Sequence, residues 1–374
     1  MHYRSKPWLV VLAQSPTRML IATFAIVGFT VAGCDKFEGL VEDGKDLVNG
    51  EEPAVADTPT VTEPGTQPPI TPTQPVVPAG PTPQQIVDQF TALQPNQISD
   101  GSLAQLASSP EAAAAITEID MHGAKVSATG LGYLSVLPNL ESLNASGLPV
   151  TPDSLTAIGK AKSLKNLDLS YSGANDQVVS ELSQIPHLQT LNLNGTQVTG
   201  GSATGLGSMR ELTDLMLMGT AANDQVIAAL TSLPIRKLDL AKSRITNASL
   251  PMLLKIPTLE VLNVSFCQIT GDGFKGFGKS NIKEMSVGET QFGIEGFATI
   301  RGMSALENLN VYSAGLVEHK SVNVFRTFPK LKILNAGRNS VTDAGMVVFL
   351  KATRRWKTFG FTATKASPTT VWLR

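Results

Sequence analysis

Residues 188–211 read LQTLNLNGTQVTGGSATGLGSMRE, and from Leu212 the same phrase begins again as LTDLMLMG. Leu191 and Leu193 are two apart, the alternation of a short strand with one buried face. Asn194-Gly195-Thr196-Gln197 is small and polar and turns the chain, and after Val198 the pattern becomes helix-like. The opening recurs at Ile116, Leu140, Leu164, Leu188, Leu212, Ile235, Leu259, Ile282, Leu306, Leu331 and Trp356, in steps of 23 to 25 residues. An apolar residue stands three places after each, from Ile119 to Phe359. In a chain that is 42% apolar, two unbroken columns of eleven are not an accident of composition.

The helix-like segments carry start signals. Asn175-Asp176-Gln177-Val178 returns as Asn223-Asp224-Gln225-Val226, and Asn or Asp before an apolar run accepts an orphan backbone N–H as an N-cap. One unit cannot bury its own apolar edge, but stacked units share a continuous core and join their strands into one parallel sheet. Residues 116–374 resemble the leucine-rich repeat family, whose pattern is LxxLxLxxNxL. The resemblance implies an α/β solenoid, a horseshoe with its parallel sheet on the concave face and short helices on the convex face. About ten full repeats and a truncated last one are expected. The ninth position departs from the family's asparagine: it holds Ser172, Thr196, Thr220, Ser243, Cys267 and Thr290, with Asn339 an exception. This choice is similar to the cysteine-containing, ribonuclease-inhibitor-like 24-residue class, and it reads Cys267 as a buried ladder residue rather than a reactive thiol.

Residues 1–33 read as an export signal. Arg4, Lys6 and Arg18 are the only charges before the apolar run 19–33, which is short for a membrane span. The run ends Val31-Ala32-Gly33-Cys34, which resembles the lipobox of bacterial lipoproteins. That resemblance implies cleavage before Cys34, thioether- and amide-linked lipid on it, and anchoring to a bilayer in the bacterial cell envelope, since several acyl chains hold where one binds reversibly. Asp35 resembles an inner-membrane retention signal, a rule that does not transfer reliably between bacteria. With only Cys34 and Cys267 in the chain, no internal disulfide is expected.

Residues 34–83 form a tether, acidic at first and then carrying ten prolines between positions 53 and 83, with too little apolar density to offset chain entropy. Residues 84–115 follow with helical spacing at Ile86, Val87, Phe90 and Leu93, then Leu103 and Leu106, and read as the cap a solenoid end requires. They show no F-box motif.

Other signals look chemical and are not. Residues 273–280, GFKGFGKS, match a phosphate-loop pattern, but the next residues open a strand, not the helix that would present its N–H groups to an anion. His122, His187 and His319 fall in different repeats without metal spacing, and no nucleophile elbow is present. The reading is therefore non-enzymatic, without metal or small-molecule cofactor. Charge is uneven: residues 35–120 hold 14 acidic and 2 basic side chains, and 301–374 hold 12 basic and 3 acidic. The basic end (Lys351, Arg354, Arg355, Lys357, Lys365) lacks a groove-entering motif, so no nucleic acid is expected.

A partner would sit on the concave face, where the third, fifth and seventh residues of each repeat point. Its large apolar groups are Met216, Met218, Val261 and Tyr312, with Tyr171 and Phe266 just beyond the strand, and its polar column includes Asp168, Asn192, Asp239 and Asn263. The function expected is a lipid-anchored scaffold for an unknown protein. A structural or polysaccharide-binding envelope module is the alternative.

Overall fold

A computed structural model describes residues 80–150, 158–316 and 324–340, with the backbone of Thr358–Phe361 and Val371–Leu373. The chain divides into two units, 1–74 and 75–374. The export signal, Cys34, nearly all of the tether, and the basic residues of the C-terminal end lie outside the described residues.

Each repeat supplies one short strand. In chain order these are β1 (Glu118–Asp120), β2 (Ser142–Asn144), β3 (Asn166–Asp168), β4 (Thr190–Asn192), β5 (Asp214–Met216) and β6 (Lys237–Asp239). Then come β7 (Val261–Asn263), β8 (Glu284–Ser286), β9 (Asn308–Asn310), β10 (Ile333–Asn335), β11 (Thr358–Phe361) and β12 (Val371–Leu373). They form one sheet in sequence order, parallel from β1 to β11. Register follows the leucine column: Leu143 lies beside Leu167, Leu167 beside Leu191 and Leu191 beside Leu215. The architecture is an α/β leucine-rich-repeat solenoid. One feature was not expected: β12 pairs antiparallel with β11, Gly360 beside Trp372, so the last parallel strand has its outer edge paired.

The sheet is half core and half surface by alternation. Leu212, Leu215 and Leu217 are fully buried, and their counterparts in the other described repeats, Ile116 to Ala336, are buried too. Each buried leucine contributes about 1.5–3 kcal/mol relative to exposure. Asp214 and Met216, between them, face outward.

The first repeat is covered by three helices: α1 (Pro83–Thr91), α2 (Asp100–Ala107) and α3 (Pro110–Ala115). Thr82 and Gln85 close a capping box on α1, which buries Ile86 and Phe90, while α2 buries Leu103 and Leu106. Helix α2 starts earlier than the apolar spacing suggests because Ser99 caps it through the Ser102 N–H.

The convex face carries α4 (Ala128–Gly132), α5 (Asp176–Leu182), α6 (Ala203–Ser208), α7 (Asp224–Leu230), α8 (Leu250–Leu253) and α9 (Gly293–Thr299). Here the Asn-Asp signature divides its work. Asn175 caps α5 by accepting the Val178 N–H at 3.1 Å, and Asn223 accepts the Gln225 N–H at 3.0 Å. The neighbouring aspartates reach the next repeat: Asp176 accepts the Thr199 N–H at 2.7 Å together with its hydroxyl. Asp224 accepts the Thr246 N–H at 2.9 Å, the Thr246 hydroxyl at 2.7 Å and the Ser249 hydroxyl. Asp100 of the cap clamps Ser127 of the first repeat in the same way. One carboxylate thus fixes a convex turn of the following coil.

Interior turns are satisfied by the ninth column. Ser172, Thr196, Thr220 and Thr290 donate to the carbonyl three residues earlier, at 2.6–2.7 Å, within their own repeat. Asn339 donates to Ala336 O at 2.9 Å and also bridges repeats, donating to Val311 O at 2.8 Å and accepting from Leu316 N–H at 2.8 Å. Cys267 does the same with its thiol, 3.0 Å from Leu240 O, and burial pushes that thiol's pKa up. Glycine-rich convex segments of the later repeats are filled by edge-to-face phenylalanines: Phe274 lies 5.0 Å from Phe277 and 5.1 Å from Phe292. Phe277, inside the phosphate-loop look-alike, is fully buried.

The Asp224 clamp sets a pH dependence. Burial pushes the carboxyl up, but the hydrogen bonds from Ser249 and Thr246 together outweigh it, and the group sits below its ordinary value. A lowered folded pKa contributes stability that is full above about 3.9, the unfolded value, and is lost as pH falls through the folded one. Asp224→Ala should lose about 1–2 kcal/mol in urea unfolding at pH 7. The difference from the parent should shrink as pH falls below about 4. Equal stability of the two chains at pH 7 would mean that the clamp contributes nothing.

Candidate interaction face

The concave face is built from the outward residues of β1–β10 and the turn that leaves each strand. The fifth column makes that turn. The side-chain oxygens of Asn144, Asp168, Asn192, Asp239, Asn263 and Asn310 each accept the N–H two residues on, at 2.8–3.1 Å. Met216 has no acceptor, and Asn194 of the preceding repeat supplies one to the Met218 N–H at 2.7 Å.

Four residues read from the sequence as ligand-binding are therefore engaged inside the protein. Asn192 also donates to the second oxygen of Asp168 at 2.8 Å, and Asn263 donates to Asp239, which is only 8% exposed. Burial raises the Asp239 carboxyl above its ordinary value despite the Ala241 N–H and Asn263. Asp214 is raised for the same reason, against the opposing pull of Lys237 and Arg236. Its Oδ1 is buried without a hydrogen bond: Lys237 Nζ stands 3.8 Å away, an attraction too long to be one.

After the turn, the eighth residue of each described repeat, from Gly123 to Arg338, takes a left-handed conformation. Gly123, Gly147, Gly195 and Gly219 occupy it at φ 65–74°, where glycine meets no steric penalty. Tyr171, Lys242, Phe266, Glu289, Ser313 and Arg338 occupy it at φ 51–60°, at about 1–2 kcal/mol each. Tyr171 and Phe266 are also 66% and 53% exposed, so burial does not explain them. The Tyr171 ring lies flat against Gly195, where an added Cβ would stand 2.6 Å from ring carbon Cδ1. Lys242 Nζ sits 5.1 Å from the Phe266 ring centre, and the Arg338 guanidinium 6.0 Å from that of Tyr312.

Met216, Met218, Val261 and Tyr312 are half-buried between these aromatics. Sequence reading missed Ile333, an exposed third-column residue, and the partners Lys242 and Arg338. The recurring glycine in the eighth column was the available signal, since it marks the positions where any other residue is strained. From the third to the ninth repeat the patch spans roughly 29 Å at about 4.8 Å per strand.

The two margins of the sheet differ in charge. Along the second column, Glu141 pairs with Lys165 at 2.7 Å, and Glu260 pairs with Arg236 at 3.0 Å and Lys283 at 2.9 Å. Glu307 pairs with Lys332. Hydrogen bonds from Lys283 and Arg236 hold the Glu260 carboxyl below its ordinary value, and this margin neutralises itself. The third, fifth and seventh columns instead carry Glu118, Asp120, Asp168, Asp214, Asp239 and Glu284 against Lys237 and His122. These strand columns are acidic, while Lys242 and Arg338 of the eighth column place cations beside the aromatics.

The fold is a leucine-rich-repeat solenoid with one open face. Residues 255–278, one repeat, match the Leucine Rich repeat family. Among solved structures, the chain is similar to the plant peptide hormone receptor RGFR1 in complex with RGF2: 14% identity over 67% of this chain and 44% of that one, TM-score 0.44. It is similar to an internalin from Listeria monocytogenes at 15% identity, covering 67% of this chain and 93% of that one, TM-score 0.42. It is also similar to TLR13 in the TLR13–ssRNA13 complex at 17% identity, covering 64% of this chain and 38% of that one, TM-score 0.43. The chain thus spans less than half of the RGFR1 and TLR13 chains. No curated protein matches it in sequence.

The eighth column predicts an uncommon pair of outcomes. Phe266→Gly should leave the melting temperature unchanged or raise it, because the strain it relieves offsets the lost ring contact. Gly195→Ala should lower stability by about 1–2 kcal/mol in thermal denaturation, since the new methyl meets both the backbone and the Tyr171 ring. A clear drop for Phe266→Gly would show that the ring is structural.

Proposed function

We propose that this solenoid is a non-catalytic scaffold that holds an extended, positively charged segment of another protein against its concave face. The observation that supports the reading most is the placement of Tyr171 and Phe266. Both are exposed aromatics in a backbone conformation that four sister repeats give to glycine. Strain kept by side chains that stay this exposed is what a recognition surface retains for contact. The acidic columns favour a basic ligand, and about nine extended residues match the length of the patch. A polysaccharide face built on the Asn and Asp column has fewer free groups, because that column already serves the turns.

Export and anchoring belong to the same proposal and rest on residues 19–34 alone. In this reading Cys34 carries lipid, residues 34–83 lift the solenoid off a cell-envelope membrane, and the repeats meet their partner outside the cytoplasm.

Selection of a phage-displayed random peptide library on the solenoid, with counter-selection on a Tyr171→Gly/Phe266→Gly double variant, tests the binding proposal. Peptides rich in Lys and Arg with an aromatic anchor should be enriched on the parent and lost on the variant. Equal recovery on both would remove the face from consideration. Anchoring is tested by metabolic labelling with an alkyne fatty acid: label and membrane association should both disappear in Cys34→Ser. A variant that stays on the membrane unlabelled would end the lipoprotein reading.

A further inference from the structure

Inside the sheet each strand hydrogen-bonds to a neighbour on both sides, and successive residues take turns in facing one side or the other. Ser142 donates its N–H to Thr117 O at 3.1 Å, and Asn144 O accepts the Met121 N–H at 2.9 Å, so these residues of β2 face β1. Asn166 and Asp168 of β3 face β2 in the same way, through Glu141 O and the Ala145 N–H, each at 2.9 Å. The equivalent residues of β1 are Glu118 and Asp120. Their backbone N–H and C=O groups point off the end of the sheet, where no strand precedes β1. Among the described residues, nothing hydrogen-bonds to these four groups.

The two ends of the sheet therefore differ. At the far end β12 pairs with β11, whereas the helical cap closes the core of the first repeat without supplying a strand. Helix α2 packs on α4 at the convex side, and no cap helix runs alongside β1. Glu118 and Asp120 are exposed where Ser142, Asn144, Asn166 and Asp168 are half-buried. Ile119, between them, is 2% exposed and shares one core with Ile86, Phe90 and Ile98, so the inner side of this edge is already filled.

A free edge accepts another strand, and its side chains decide which one. A second copy related by a two-fold axis would set Glu118 and Asp120 against like carboxylates. The chain's own residues 34–83 are acidic at first and then rich in proline, which lacks the N–H that a ladder needs. Glu118 has no ion pair among the described residues, and Asp120 gives only one oxygen to the His122 N–H and Nδ1. The complement of such an edge is a strand with cations at alternate positions and a small residue between them.

We infer that β1 takes up an extended segment of a partner protein with the pattern basic–small–basic, its cations beside Glu118 and Asp120 and its small residue beside Ile119. Main-chain hydrogen bonds supply the affinity, and the two carboxylates select the sign of charge. The edge does not use Tyr171 or Phe266, so it stands or falls independently of the concave-face proposal.

The test uses the whole chain and three synthetic peptides: one alternating lysine with serine, one alternating glutamate with serine, and the lysine peptide N-methylated along its backbone. Binding is read by amide NMR and hydrogen exchange. The lysine peptide should bind saturably and slow exchange at the Glu118 and Asp120 N–H groups, and the glutamate peptide should not. N-methylation keeps every charge and should weaken binding about tenfold or more. Glu118→Lys/Asp120→Asn, in which asparagine keeps the turn acceptor that Asn144 provides, should lose the lysine peptide. Tyr171→Gly/Phe266→Gly should bind it as the parent does. The N-methyl comparison is made on the parent chain, so it decides even if the edge variant fails to fold. The inference is overturned if the lysine peptide does not bind, if the N-methylated peptide binds equally well, or if protection falls on concave-face amides and spares Glu118 and Asp120.

Discussion

Each repeat buries its leucines only because another repeat lies beside it. A three-residue strand with one apolar edge has no stability alone, and here eleven such strands share a single spine. Everything else in the molecule accommodates that stacking. The ends need covers, which the helices before Glu118 and the antiparallel strand Val371–Leu373 provide. The seams need polar partners, because a buried backbone group left unpaired costs more than a formed hydrogen bond contributes.

The seam chemistry explains choices that look arbitrary along the chain. Ser172, Thr196, Thr220 and Thr290 close their own turns, whereas Asn339 and Cys267 reach the neighbouring repeat, Cys267 meeting Leu240 O and the Ser243 hydroxyl. On the convex side the aspartates take over that bridging, so adjacent coils are tied at both faces. The fifth-column Asn and Asp residues belong to the same scheme: they end the strand by holding the chain two residues on.

What stacking leaves free is the outer wall of the sheet. Its polar groups are largely committed, its second-column charges pair with one another, and two aromatics stand out in a backbone conformation suited to glycine. A surface whose residues have no structural duty, yet accept strain, is where recognition is to be sought.

Much of this was legible from spacing. The leucine columns, the strand alternation and the caps at Asn175 and Asn223 depend on neighbours a few residues away or on a fixed period, and both are visible in the chain. The turn bonds of the asparagine column were not legible, because they depend on where each strand ends. The amino-acid order by itself determined the repeat, its period and which side of each strand is buried, since these follow from local periodicity. Only the tertiary structure decided which polar groups remain free and which non-glycine residues sit in a left-handed turn. Those depend on atoms some 24 residues apart in sequence meeting across a shared interface.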